Sequence, residues 1–589
     1  MTSNAEGAED TEVTATVYPL AASIAGHKTP LMLHTAPMSD NASGPPPAAP
    51  PSFYAQVSSF DYVFWLCIFM ELMERMAYYG VRLVVPVYMV LAPQDGGPGL
   101  THTEKGTVLA CWAAMQSWLP TISGGFSDRF GYKNSIAVSV FLKAGGYALM
   151  ATASGFWGML IGTQVLAAGT GIFKPGIQGT MAHSIAKSKG SDSMGWGLFY
   201  QSVNVGAAVA AYIPAFAREK WGWHGVFWTC SVIVFSNLIP LFFYADPVDE
   251  RQTVRDTRGP IQLMRETLRD LFTNPVVMGF ILISAGFWFM FHQLFDMLPN
   301  YVDDWTDSSV LLAALGTTFG RPDWVAEAAK GVMIPQERLL NVNALLIMTT
   351  MFAFAWVSGK VRVLTSTITG MAISTIALVA FVFTANVYIV MAGVLAFTVG
   401  EMLASPKKQE YMASLAPPGK RALFLGYANM PDGIGWVLGS LVAGGQYEEH
   451  GDKINLARRF FAEHGDVAVA RAWLAKAHAG GVPAEALKEL AERMKVDTGE
   501  IALTTLDALD GAALVTRWSE ALPRGEVLDS VIAGVPMLPN GVANSAPALR
   551  DYLYATMHPG QVWHTFIVIG AISVVAMVVY DRVVRRRAA

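Results

Sequence analysis

A series of long, mostly apolar runs constrains this chain more than any other feature. About twelve occur, at approximately 60–92, 104–126, 134–153, 155–186, 192–217, 222–244, 275–304, 337–359, 363–385, 387–413, 420–445 and 560–582. A hydrocarbon core about 30 Å thick is crossed by about 20 helical residues. In lipid, every backbone polar group must be satisfied internally, so only helices and closed barrels span. Barrel strands are about ten residues long and alternate in polarity, and these runs do neither. Charged residues make up 15% of the chain, against roughly 25% in soluble proteins. The expected fold is therefore an all-α integral membrane protein.

Lysine and arginine orient it, because they accumulate in short cytoplasmic loops. They collect after even-numbered spans: Arg129 and Lys133, Lys187 and Lys189, Arg251, Arg255 and Arg258, Lys360 and Arg362, and Lys407, Lys408, Lys420 and Arg421. With Arg585–Arg587 at the end, this predicts cytoplasmic termini in a multi-pass protein. Its expected home is the plasma membrane, which is the inner membrane in a Gram-negative bacterium.

The spans divide six and six. We expect a disordered cytoplasmic tail at 1–58, a six-helix bundle at 59–245, a cytoplasmic linker at 246–274, and helices seven to eleven at 275–445. An outer insertion interrupts the second half at 306–335, and a larger helical one fills 446–558. Residues 559–589 supply helix twelve and a basic end. Two halves of this kind suggest a transporter that rocks about a midplane site.

Other classes find little support. Cys67, Cys111 and Cys230 all fall in apolar runs and read as buried thiols, without metal or disulfide spacing. The net charge of −5 gives no reason to expect nucleic acid. Residues 1–58 lack the charged and apolar regions of a signal peptide. No nucleophile elbow, zinc spacing or paired catalytic motif is visible, in the insertions or elsewhere. The chain does not read as an enzyme, no cofactor is expected, and 446–558 reads as a structural cap.

The chemical signal is ionisable residues inside the spans, which are expensive there and by default functional. In the first span Glu71, Glu74, Arg75, Tyr78 and Arg82 recur at i, i+3, i+4 spacing and share one helical face. Five such groups exceed what packing two helices together needs, so a wet interior is expected. Lys174 stands alone in the fourth span, after Gly169-Thr170-Gly171; that spacing fits neither phosphate-loop fingerprint, and the glycines suit close helix packing. Asn204 in the fifth span needs hydrogen-bond partners. Glu401 is the only carboxylate in the tenth run before its cytoplasmic end.

These motifs together resemble the proton-dependent oligopeptide transporters, the POT/PTR branch of the major facilitator superfamily. Glu71-xx-Glu74-Arg75-xx-Tyr78-Tyr79-Gly80-x-Arg82 resembles their first-helix signature, and Gly124–Gly131 resembles the loop between the second and third helices. Phe173-Lys174-Pro175, Phe199-Tyr200-xxx-Asn204-x-Gly206 and Glu401-xxx-Ser405-Pro406 resemble the fourth-, fifth- and tenth-helix motifs. The resemblance runs from about 60 to 445 and resumes at 560. It implies a major facilitator fold with about 12 helices in two six-helix bundles.

It also implies roles. Glu71, Glu74, Arg75 and Lys174 would form a proton-coupling cluster, with the proton as coupling ion. Arg82 and Lys174 would hold a peptide carboxylate. Glu401, Asn204 and Asn343 would hold its amino group, and Tyr78, Tyr79 and Trp288 would line side-chain pockets. The implied function is a proton-coupled symporter importing di- and tripeptides across the lipid bilayer by alternating access. The alternatives are a proton-coupled transporter of another zwitterionic or drug-like solute, or a peptide-binding sensor without turnover.

The chain departs from the pattern at His292, where many relatives carry a carboxylate thought to pair with the arginine matching Arg82. Asp296 lies one turn further on. We expect an outer gate of Arg82 with Asp296, with His292 tuning its pH dependence. Lys407-Lys408 reads as the positive end of the tenth span rather than an inner gate. The stretch 246–274 is too short and polar for the two extra helices that bacterial relatives often carry there.

Overall fold

The computed structural model describes residues 53–152, 154–188, 192–246, 269, 271, 273–416, 424, 426–482, 484–522 and 546–588. The described elements are helices. Of the expected tail at 1–58, only the last residues are described, and Phe53–Val57 is helical rather than disordered. The expected linker 246–274 lies mostly outside the described residues.

Among the described residues, eight helices are long and apolar enough to cross a membrane. One, Met194–Leu241, has 48 residues, about 72 Å at 1.5 Å per residue, enough for two crossings. It turns at Gly222, whose φ of 68° is left-handed and favours glycine; the fifth span ends there and the sixth begins. The first span, Tyr62–Arg82 continued by Val85–Val90, carries Glu71, Glu74 and Arg75. The second is His102–Phe130 and the eleventh Met430–His450. Local signals set several starts. Asp61 accepts from the Phe64 N–H, Thr101 and Glu104 form a capping box, and Asn274 caps a helix with proline at its first position.

Spans one to six pack as one bundle and seven to twelve as a second. Glycines set the closest approaches. A Cβ on Gly146 would stand 2.6 Å from the Leu166 backbone, joining spans three and four, and one on Gly370 would stand 2.5 Å from the Gly400 oxygen, joining nine and ten. The bundles meet chiefly where the second span lies on the eleventh and the fifth on the eighth.

Both insertions lie on the face opposite the chain ends. The smaller holds helices Ser309–Thr318 and Pro322–Ala329. The eleventh span continues to His450, so the larger module starts later than 446, at Lys453–His464. Val467–His478, Ala484–Met494, Gly499–Asp507, Gly511–Ala521 and Ala546–Met557 follow. Phe461, Trp473, Leu514 and Trp518 form part of its buried core.

Candidate substrate chamber and gates

The charged stripe of the first span is buried against its own bundle. Arg75 lies between Glu71, at 3.1 Å, and Glu74. Glu74 is also paired with Lys143 of the third span, a residue absent from the sequence reading. Four groups, two acids and two bases, are thus balanced in charge within one bundle. Gly206 of the fifth span makes room for them: a Cβ there would stand 2.8 Å from that of Arg75.

One turn along, Tyr78 accepts from Gln116 Nε2 at 3.2 Å, and Gln116 Oε1 accepts from Trp112 Nε1 at 3.0 Å. Arg82 ends the span. It donates to Asp296 and, at 3.2 Å, to the Phe295 carbonyl of the seventh span. The other Asp296 oxygen accepts from Trp436 Nε1 at 3.0 Å and Ser440 Oγ at 2.5 Å. The Arg82 guanidinium is therefore engaged from several sides, with the Trp436 ring 5.0 Å away.

This pair belongs to a belt of contacts joining the bundles on the face away from the termini. Lys105 donates to Asn300 at 2.7 Å, and Asn300 to the Pro86 carbonyl at 3.1 Å. The His102 amide donates to Glu448 at 2.5 Å, and Gln336 to the Leu83 carbonyl at 3.1 Å. Arg218 pairs with Glu337 at 3.1 Å, and Asn341 donates to the Ala208 carbonyl at 2.8 Å. That face is closed.

Below the belt lies a cavity of about 1340 Å³ lined by both bundles. It extends toward the face of the chain ends as far as Gln178, Gly197, Gln409 and Gly426. Arg75, Tyr78, Tyr79, Arg82, Lys174 and Asn204 line it from the first bundle, and Trp288, His292, Asn343 and Glu401 from the second. Glu71, Glu74 and Asp296 are not in its wall. Asn343 donates to Glu401 Oε2 at 2.9 Å and to Thr398 Oγ1 at 2.9 Å. The Asn204 amide donates to the Tyr200 carbonyl of its own helix at 3.2 Å.

Two placements add to the sequence reading, and the second corrects it. His292 does not touch the Arg82–Asp296 pair directly but reaches it through Trp436, which donates to Asp296. Its Nε2 lies 2.9 Å from Asp432 Oδ1, and its ring stacks on Trp436 at 4.6 Å and 9°. Spacing along the seventh span cannot reveal this, because Asp432 is on the eleventh. Lys408 is not the positive end of the tenth span: it lines the cavity, with its Nζ 4.0 Å from the Trp288 ring centroid. Lys407 does pair locally, with Glu410 at 2.6 Å. Most side chains of the 124–131 motif lie outside the described ones.

Two six-helix bundles around a charged chamber, sealed on one face, define a membrane transporter rather than an enzyme. Residues 64–440 match the Major Facilitator Superfamily, and the chain belongs to that family. It has peptide-transporter relatives at low identity. Dipeptide and tripeptide permease A of Serratia proteamaculans is 28% identical over 181 residues, 30% of this chain and 34% of that one. Peptide transporter YePEPT of Yersinia enterocolitica is 23% identical over 440 residues, 64% and 86% of the two chains. The chain spans about a third of the length of most of the curated relatives it matches. Among solved structures, the peptide transporter POT in complex with sulfate gives a TM-score of 0.54 at 16% identity, covering 67% of this chain and 89% of that one. The nucleoside transporter NupG also gives 0.54, at 10% identity, covering 66% and 92%. At these identities the likeness is one of fold.

Proposed function

We propose that this transporter is a proton-coupled symporter that imports di- and tripeptides by alternating access. The observation that carries the reading is one chamber with Lys174 in one wall and Glu401, held by Asn343, in the wall of the other bundle. A short zwitterion matches charges of opposite sign on two bodies that move relative to each other. Binding both ends would draw the bundles together, which is a differential contact of the kind that shifts a two-state equilibrium.

Proton coupling rests on Glu71, Glu74, Arg75 and Lys143. A carboxylate held by cations stays ionised, and one that loses them in a dry site takes a proton. Rearrangement of this cluster between states would therefore move protons with the substrate, through one reciprocal linkage. Each inward proton supplies roughly 2.3 kcal/mol per 100 mV. Cytoplasmic chain ends, and thus import through the closed face, follow from the distribution of Lys and Arg.

A second reading keeps this machinery and changes the solute to another zwitterion or a drug-like molecule. A chamber of about 1340 Å³ exceeds the roughly 300–1,000 Å³ usual for small-molecule sites, which favours tolerance of bulk. A third, the sensor, has no use for a balanced proton cluster. The test is uptake of a labelled dipeptide into proteoliposomes under an imposed inward proton gradient. Accumulation abolished by a protonophore is expected. No gradient-driven accumulation would reject symport, and binding without uptake would favour the sensor.

A further inference from the structure

The peptide reading gives Arg82 and Lys174 the substrate carboxylate, yet Arg82 is unavailable in this state. It is only 3% exposed, and Asp296 and the Phe295 carbonyl hold it in the belt that seals the far face. Releasing it to a ligand would break that seal. A carboxylate entering from the open side must use the other cations of the cavity wall, of which Arg75 is already paired with Glu71 and Glu74.

Lys408 meets the requirements. It is 8% exposed, and among the described residues it has no ion-pair partner; its ammonium lies over the face of Trp288 at 4.0 Å. A buried ammonium without a carboxylate is costly unless something arrives to pair with it. It belongs to the second bundle and shares the cavity wall with Lys174 of the first. Asp432 acts on the charge of both lysines and Lys174 on that of Lys408, while Arg75 and Glu71 also act on Lys174. The acid common to the two lysines is therefore Asp432.

Asp432 is fixed for this position. His292 Nε2 holds its Oδ1 at 2.9 Å, and the His292 ring is held flat on Trp436. Its side chain is 32% exposed. Glu401 lies beside Tyr79 and Tyr200.

We propose that Lys408 and Lys174 form a carboxylate-binding subsite bridging the two bundles, in which Asp432 stands in for the ligand when the chamber is empty. The ligand class is a carboxylate, either the C-terminus of a peptide or an acidic side chain. This rests on the peptide reading only for the choice of ligand, since the cation pair would capture any small carboxylate that fits. A carboxylate lying between the lysines would tie the bundles together where Asp432, on one of them, partly screens both.

The test is thermal-shift titration of the purified full-length protein with dialanine, dialanine C-terminal amide, and N-acetylalanine, which carries a carboxylate and no ammonium. Wild type, Lys408→Gln, Lys408→Arg and Asp432→Asn are compared. The two carboxylates are expected to bind wild type at least tenfold more tightly than the amide. Lys408→Gln should erase that preference without lowering the unliganded melting temperature by more than a few degrees, and Lys408→Arg should restore part of it. Asp432→Asn should tighten carboxylate binding by removing the competitor. An unchanged preference in Lys408→Gln overturns the proposal, and so does a wild type that binds neither carboxylate. Should N-acetylalanine bind through Lys408 while proton-driven dipeptide uptake fails, the subsite stands and the symport reading falls. If Lys408→Gln does not fold, Lys408→Met replaces it, with the same criterion applied to the amide-to-acid ratio.

Discussion

Glu74 of the first span and Lys143 of the third form an ion pair that is almost wholly buried, and Arg75 completes it on the other side of the carboxylate. Removing one partner from a buried pair leaves an uncompensated charge and costs about 3–5 kcal/mol. We predict that Lys143→Met lowers the melting temperature of the purified protein by many degrees and abolishes proton-driven uptake. The double variant with Glu74→Gln should recover most of the stability, because no lone charge remains, but not the uptake. Melting curves and proteoliposome flux on the four proteins of this cycle test both parts. Full additivity of the two stability losses would mean that the pair is not coupled.

The seal of the far face makes a second prediction. Asp296 receives Arg82, Trp436 and Ser440 together, so Asp296→Asn removes the charge that holds a buried guanidinium. The closed far face should lose several kcal/mol relative to the opposite conformation. Spin labels on Thr103 and Glu449, at the far ends of the second and eleventh spans, should report a longer distance in a larger fraction of molecules than in wild type. An unaltered distance distribution would show that the remaining belt suffices without this pair.

Legibility from sequence followed physical reach. The stripe Glu71, Glu74, Arg75, Tyr78 and Arg82 could be read because one helix fixes the spacing, and Asp296 because it lies one turn from His292 on the same span. Lys143, like Lys174, is a cation amid an apolar run and is legible on that ground, but its span matches no motif. Asp432 and Lys408 were not readable. An acid in the first turn of Met430–His450 and a lysine near the end of Val387–Ser414 each suit a helix terminus. Only the packing of spans seven, ten and eleven turns both toward the chamber.

Glu401 and Asn343 give a third prediction. The carboxylate accepts one amide hydrogen from Asn343, which leaves it capacity for a ligand ammonium. Hydrogen bonds to charged groups contribute about 1.5–3 kcal/mol. Glu401→Gln should therefore raise the KM for dialanine roughly 10- to 100-fold and leave binding of N-acetylalanine nearly unchanged. Competition assays with the two ligands separate the outcomes, and an equal loss for both would show that Glu401 acts on something other than the ammonium.

The last prediction concerns motion. Alternating access requires the second and eleventh spans to come together and part, and Gly106 sits where they touch backbone to backbone. A Cβ there would stand 2.5 Å from the Ser440 oxygen and 2.9 Å from the Gly444 Cα. Backbone cannot yield as a flexible side chain does, so Gly106→Val should hold the two spans apart on the far face. Because the contact joins the bundles and not the core of either, the protein should still insert and each bundle should still fold. Uptake should fall at least tenfold, while a cysteine placed at Tyr78 should gain reactivity toward a membrane-impermeant thiol reagent applied from the far face. Gly445→Ala, one residue along from Gly444 and with open space around its Cβ, should behave as wild type in both measurements. Full transport by Gly106→Val would mean that the spans need not approach this closely for the cycle to turn.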